Sequence, residues 1–238
     1  MVHCASMKFY LALVREKFKS MKNKKFAVVL AGCGVYDGAE IHEAVLTLLA
    51  IDKAGSTYEC FAPDVNQYHV VDHLSGKATK ETRNVLTEAV RIARGDIKKL
   101  SQLDINQFDA LVFPGGFGVA KNLSTFAVDG EDCLVNPDIE KLIVAAHQAK
   151  LPIGAMCIAP VVLAKVLGTG TLTIGNDAET ASTLENMGAT HLSTNGDEIV
   201  VDNENKIVTT PCYMLNSPIS VVAKGTKKLI KALLQFMK

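Results

Sequence analysis

Phe26-Ala27-Val28-Val29-Leu30 is an unbroken apolar run set between two lysines and a glycine-rich turn. A strand without polar alternation is buried on both faces, which requires a parallel sheet covered by helices on each side. The rest of the chain repeats the theme. Ile41, Val45, Leu48 and Leu49 recur at helical spacing, and Gly55 closes that helix. Tyr58–Ala62, Ala110–Phe113, Pro152–Met156 and Leu172–Ile174 read as strands. Glu81–Ala93, Ile139–Ala149, Ile158–Leu167 and Ala178–Met187 read as helices, while Pro63–Ala78 is polar and irregular. Glu198–Asp202 and Lys206–Thr210 flank Asn203-Glu204-Asn205 as a hairpin, and apolar positions from Ile219 to Met237 mark a closing amphipathic helix. The alternation predicts an α/β fold with a mostly parallel sheet and helices on both faces. No Pro/Gly/Ser linker divides it, so residues 22–238 are expected to form one domain.

Charge separates this body from what precedes it. Lys+Arg and Asp+Glu both number 25 over 238 residues. Residues 1–25 hold seven basic side chains and one acid, Glu16, so the body carries a formal −6. A mildly acidic body argues against nucleic acid as a partner. No run approaches the roughly 18 apolar residues of a membrane span, and Phe9–Val14, the longest early stretch, lacks a secretory cleavage pattern. Residues 1–21 are expected to be a peripheral basic extension, with translation starting at Met21; an organelle-targeting peptide is the alternative. The six cysteines are widely spaced, with no C-x-x-C, which excludes a zinc framework and a disulfide scaffold. Free thiols and a cytoplasmic location are the expectation.

Sites in such folds lie beyond the carboxyl ends of the strands, which singles out loops 31–40, 114–122 and 157–160. Gly32-Cys33-Gly34-Val35-Tyr36-Asp37-Gly38 approximates a dinucleotide fingerprint. Asp37, Glu40 and Glu43 crowd the helix start that would receive the pyrophosphate, which disfavours that reading. Glu43 lies one turn into the helix, from where it can reach toward the next loop. Cys157 stands between a strand and a helix with Ala155 and Ala159 two residues to either side and Pro160 in the first helical turn. That is the pattern of a nucleophile elbow, where the close crossing of strand and helix demands small neighbours. Backbone N–H groups and the helix end are expected to favour the thiolate. Pro114-Gly115-Gly116-Phe117-Gly118 allows close backbone approach, so Gly115, Gly116 and the Ile158 N–H are the candidate oxyanion donors.

A glutamate in the first helix, a Pro-Gly-Gly loop and a cysteine elbow, in this order, resemble the ThiJ/PfpI superfamily, whose fold is similar to class I glutamine amidotransferases. Ala31–Ala50, Pro114–Ser124, Met156–Pro160 and Lys206–Met214 narrow the resemblance to the ElbB-type branch, known as isoprenoid biosynthesis proteins with an amidotransferase-like domain. The resemblance implies a flavodoxin-like three-layer sandwich, a homodimer and Cys157 with Glu43 as the catalytic pair. It also implies a cofactor-independent glyoxalase-like activity on glyoxal or methylglyoxal, or the protein deglycation it reflects. The alternative is a redox-sensing or protein-interaction module built on the same thiol. Many members carry a histidine in the loop after the next strand; here that loop is Thr173-Ile174-Gly175-Asn176-Asp177. Protease and glutaminase chemistry, which needs an imidazole for the leaving amine, is thereby disfavoured. Cys33, His42 and Asn122 are candidate accessory groups, Cys33 as a resolving thiol for Cys157. His69, Asp72 and His73 would hold a metal only if helical; neither metal nor cofactor is expected.

Overall fold

The structure is a computed structural model describing residues 23–237. The expectations for the basic extension and the start at Met21 lie outside the described residues. The chain opens with β1 (Lys25–Val29), α1 (Ile41–Lys53) and β2 (Thr57–Ala62). A small antiparallel hairpin, β3 (Val71–Asp72) and β4 (Lys77–Ala78), occupies the polar stretch. It is followed by α2 (Val85–Ile92) and β5 (Ile97–Lys99). Next come β6 (Ala110–Phe113), one turn of π-helix at Val119–Leu123, a short α3 (Phe126–Asp129) and α4 (Pro137–Gln148). β7 (Ile153–Met156), α5 (Pro160–Leu167), β8 (Thr171–Leu172), α6 (Ala178–Asn186) and β9 (Thr190–His191) continue the chain. β10 (Val200–Asp202), β11 (Ile207–Thr210) and α7 (Ile219–Phe236) end it.

Seven strands form one sheet in the order β10-β11-β7-β6-β1-β2-β5. All its pairings are parallel except β10 with β11, the hairpin expected at Asn203–Asn205. β8 and β9 pair separately. Successive side chains of a strand face opposite ways, and β1 shows the consequence. Phe26, Val28 and Leu30 join the core under α1, α2 and α7, while Ala27 and Val29 join the core under α4 and α5. This is the three-layer sandwich expected. Gly154 on β7 makes one interface possible, since a Cβ there would lie 2.8 Å from Leu233 and 2.9 Å from Leu229 of α7.

α1 departs from the expected face. Glu43, Ala44, Thr47, Leu48 and Ile51 are buried, whereas Ile41, Val45 and Leu49 are exposed. Two polar residues therefore occupy core-facing positions, and the strand ends explain why.

Candidate active site

β7 ends at Met156 and Cys157 follows with φ 58°, a left-handed conformation uncommon outside glycine. Holding a side chain there costs on the order of 1–3 kcal/mol, and such strain concentrates at functional sites. Neighbouring contacts maintain it: the Cys157 N–H donates to Thr210 O at 3.0 Å, and α5 starts at once with Pro160 in its first turn. Ala155 and Ala159 are fully buried, as the elbow requires.

Glu43 reaches the elbow from α1. Glu40 caps that helix, its Oε2 accepting the Glu43 N–H at 2.7 Å. The Glu43 carboxyl is fully buried and held at both oxygens: Gly115 N–H donates to Oε2 at 3.0 Å and Tyr213 N–H to Oε1 at 3.2 Å. It packs beside the Cys157 side chain, both lying against Gly115. A Cβ on Gly115 would overlap Cys157 Cβ and stand 2.6 Å from Glu43 Oε2. The acid and the thiol thus share the space above one glycine. Burial, then the nearby Glu40 carboxylate, pushes the Glu43 pKa up to about 8, against the pull of the Tyr213 and Gly115 N–H groups.

Cys157 corrects the expectation of a readily ionised thiol. Burial and the Glu43 charge push it well above the ordinary thiol range, and they outweigh the Gly116 and Ile158 N–H groups that favour its ionised form. At neutral pH the pocket holds a protonated pair, whose titration belongs to both members.

Other assignments also change. The Gly115 N–H, expected as an oxyanion donor, is instead committed to Glu43; the Gly116 and Ile158 N–H groups favour the ionised form of the Cys157 sulfur. Cys33 is a half-buried free thiol that senses the charges of Glu88, Arg91 and Asp37, and burial raises its pKa. Cys212 is the second thiol near the pair: it is fully buried, with its own positive φ of 45°, and senses the charges of Glu43 and Cys157. Asn122 is a clip between loops, donating to Ala31 O and Asp37 O and accepting from Tyr68 N–H. His42 joins the rim, with Nδ1 2.9 Å from the Tyr213 hydroxyl. Tyr213, absent from the sequence reading, contributes a backbone donor that no side-chain motif announces.

The glycines of the 32–38 loop serve packing. A Cβ on Gly38 would strike the Cys33 backbone, and one on Gly118 would lie 2.5 Å from Ala31 O. Glu40 fills the helix start, which leaves the dinucleotide reading without a phosphate seat. His73 accepts the Tyr36 N–H at 3.2 Å and His69 meets Lys121 at 3.1 Å, while His191 accepts the Ile174 N–H at 3.3 Å. No cluster of metal-ligating side chains occurs among the described residues, and no helix among them is long and apolar enough to cross a membrane.

No family model matches the chain. Curated relatives do. The ES1 protein homolog, mitochondrial, of Rattus norvegicus is 47% identical over 221 residues, covering 89% of this chain and 83% of the relative. Glutamine amidotransferase-like class 1 domain-containing protein 3, mitochondrial, of Homo sapiens is 46% identical over 221 residues, covering 89% and 82%. Among solved structures, an isoprenoid biosynthesis protein with amidotransferase-like domain from Ehrlichia chaffeensis superposes with a TM-score of 0.86 at 38% identity, over 90% of this chain and 100% of the other. The cytoplasmic expectation is corrected by these relatives, both curated ones being mitochondrial. Reduced thiols report redox state, which does not single out the cytoplasm. With the cysteine elbow, the buried helix glutamate and this similarity together, the chain belongs to the class I glutamine amidotransferase-like ThiJ/PfpI superfamily, in its ES1/ElbB-type branch.

Proposed function

We propose that the chain is a cofactor-independent glyoxalase-like enzyme in which Cys157 and Glu43 convert a small 2-oxoaldehyde to a 2-hydroxy acid. The superfamily includes proteases and deglycases. The observation that carries the reading is the doubly anchored Glu43 carboxyl packed beside Cys157 over Gly115. The Cys157 sulfur bonds to the aldehyde carbon, and the thiol proton passes to the aldehyde oxygen, giving a hemithioacetal. Gly116 and Ile158 N–H groups stabilise the negative charge that builds on that oxygen. Glu43, as carboxylate, removes the C1 proton; the resulting enediol takes a proton at C2. C1 becomes a thioester carbonyl and C2 a carbinol, so oxidation and reduction balance within one molecule. Water then cleaves the thioester, releasing the acid and restoring the thiol. This route has no leaving amine, which suits a site whose Cys157 partner is a carboxyl.

The test is methylglyoxal turnover to lactate. Cys157→Ser and Glu43→Gln are each expected to lose at least about a hundredfold in kcat, the scale of a lost nucleophile or positioned base. Wild-type-like turnover in either variant contradicts the reading. The redox-sensing alternative has the Cys157 thiolate attack peroxide; the raised pKa makes that form scarce for either chemistry, so turnover of methylglyoxal, not thiol acidity, discriminates the two.

A further inference from the structure

We infer that Lys121 anchors an anionic group, carboxylate or phosphate, on the molecule whose carbonyl meets Cys157. The inference rests on the proposed reading of that site and extends it to a substrate class: 2-oxoaldehydes that carry a second, charged end. Lys121 lies on the single π-helical turn after β6, a local irregularity found frequently at functional sites. β6 and β1 are neighbours in the sheet, with β2 and β5 on one side and β7 and β11 on the other. The loops that follow β1 and β6 therefore frame the switch-point crevice in which open α/β sheets bind ligands.

The ammonium is held but not neutralised. Its Nζ donates to Tyr36 O at 3.0 Å and meets His69 Nε2 at 3.1 Å, and among the described residues it makes no ion pair. Asp37, the nearby acid, is engaged elsewhere: Oδ2 accepts the Val71 N–H at 2.7 Å and Oδ1 faces His73 Nε2 at 3.9 Å. An ammonium has three donors, so one is left to point outward. Aromatic surface surrounds it. Lys121 Nζ stands 4.8 Å from the Phe117 ring centroid, and Phe117, Tyr36 and Tyr68 are all exposed. Burial lowers the Lys121 pKa against the pull of the Asp37 charge; a partly desolvated cation with no ion-pair partner in direct contact is stabilised by an incoming anion.

Continuity with the catalytic pair comes through the backbone. A Cβ on Gly115 would meet Cys157; two residues on, Phe117 carries the ring beside Lys121 and is fixed by its N–H to Val35 O at 2.8 Å.

Two measurements test this. The first compares KM for 4,5-dioxovalerate, an anionic 2-oxoaldehyde, with KM for neutral methylglyoxal. The ratio is expected to rise at least tenfold in Lys121→Met and to return to within about threefold of wild type in Lys121→Arg. An unchanged ratio in Lys121→Met, in protein of wild-type thermal stability, overturns the inference. The second is calorimetric titration of the Cys157→Ala protein with inorganic phosphate and, separately, with succinate, with and without Lys121→Met. Saturable binding weakened at least tenfold by Lys121→Met supports the anchor and ranks the two anion types; binding indifferent to Lys121→Met overturns it. If wild-type protein turns over neither aldehyde yet the titration is Lys121-dependent, the proposed reaction fails and the anion site stands. If turnover is present and both Lys121 effects are absent, the site fails and the reaction stands.

Discussion

Gly115 shows how much of the site depends on a missing side chain. Its backbone needs no left-handed conformation, so the requirement for glycine comes from crowding by Cys157, Glu43 and the Met156 carbonyl. Gly115→Ala is expected to fold with a loss of about 1–3 kcal/mol and to lose at least tenfold in methylglyoxal turnover, because the new methyl separates the pair. Thermal melts and kinetics on one preparation check this; full turnover contradicts the shared space. At this scale the sequence is legible where a residue type is forced. The alanines flanking Cys157 and the proline of the first helical turn identify the elbow without coordinates. Tyr213 is not legible, because it contributes its backbone N–H, and nothing in a side chain reports where an amide points. The rise of the Cys157 pKa is half legible: sequence shows the N–H groups that favour a thiolate and the Glu43 acid that opposes it, but not the burial that weighs most.

At the scale of elements, β1, β6 and β7 are readable because both their faces are buried. β5 is not: Ile97-Lys98-Lys99 is a short edge strand whose lysines face solvent, the composition that keeps an open edge from pairing with another chain. α2 starts at Val85 rather than Glu81, since Asn84 is the residue whose side chain accepts the Thr87 N–H and caps the helix. α1 misleads more deeply. Its buried face includes Glu43 and Thr47, so a periodicity drawn through apolar residues alone points to the wrong side. The exposed positions that result, Ile41, Val45 and Leu49, follow i, i+4, i+8 and form one stripe. The homodimer implied by the family resemblance is proposed to use it. Val45→Lys is then expected to shift sedimentation from dimer to monomer; a dimer unaffected by the lysine contradicts that surface.

For the whole molecule, parallel alternation and the position of three strand-end loops carry both the fold and the place of the site. Compartment is a different kind of property. Free thiols at Cys33, Cys60, Cys133, Cys157 and Cys212 are compatible with any reducing space, whereas the charge asymmetry of the first 25 residues bears on delivery. We propose that the basic, acid-poor leader directs the chain to mitochondria, in keeping with its relatives. Fused ahead of a fluorescent protein in a eukaryotic cell, residues 1–22 are expected to give a mitochondrial pattern; a diffuse signal contradicts the assignment.

The central claim is that a buried Glu43, as carboxylate, takes the C1 proton from the substrate carried on Cys157. Burial raises the carboxyl pKa to about 8, so the basic form is scarce at pH 6 and predominates above pH 9. The direct measurement is kcat/KM for methylglyoxal from pH 6 to 10 in wild type and Glu43→Gln. Turnover is predicted to climb through a limb near pH 8 and to be lost, limb included, in the variant. A flat wild-type profile, or the same limb persisting in Glu43→Gln, contradicts the account.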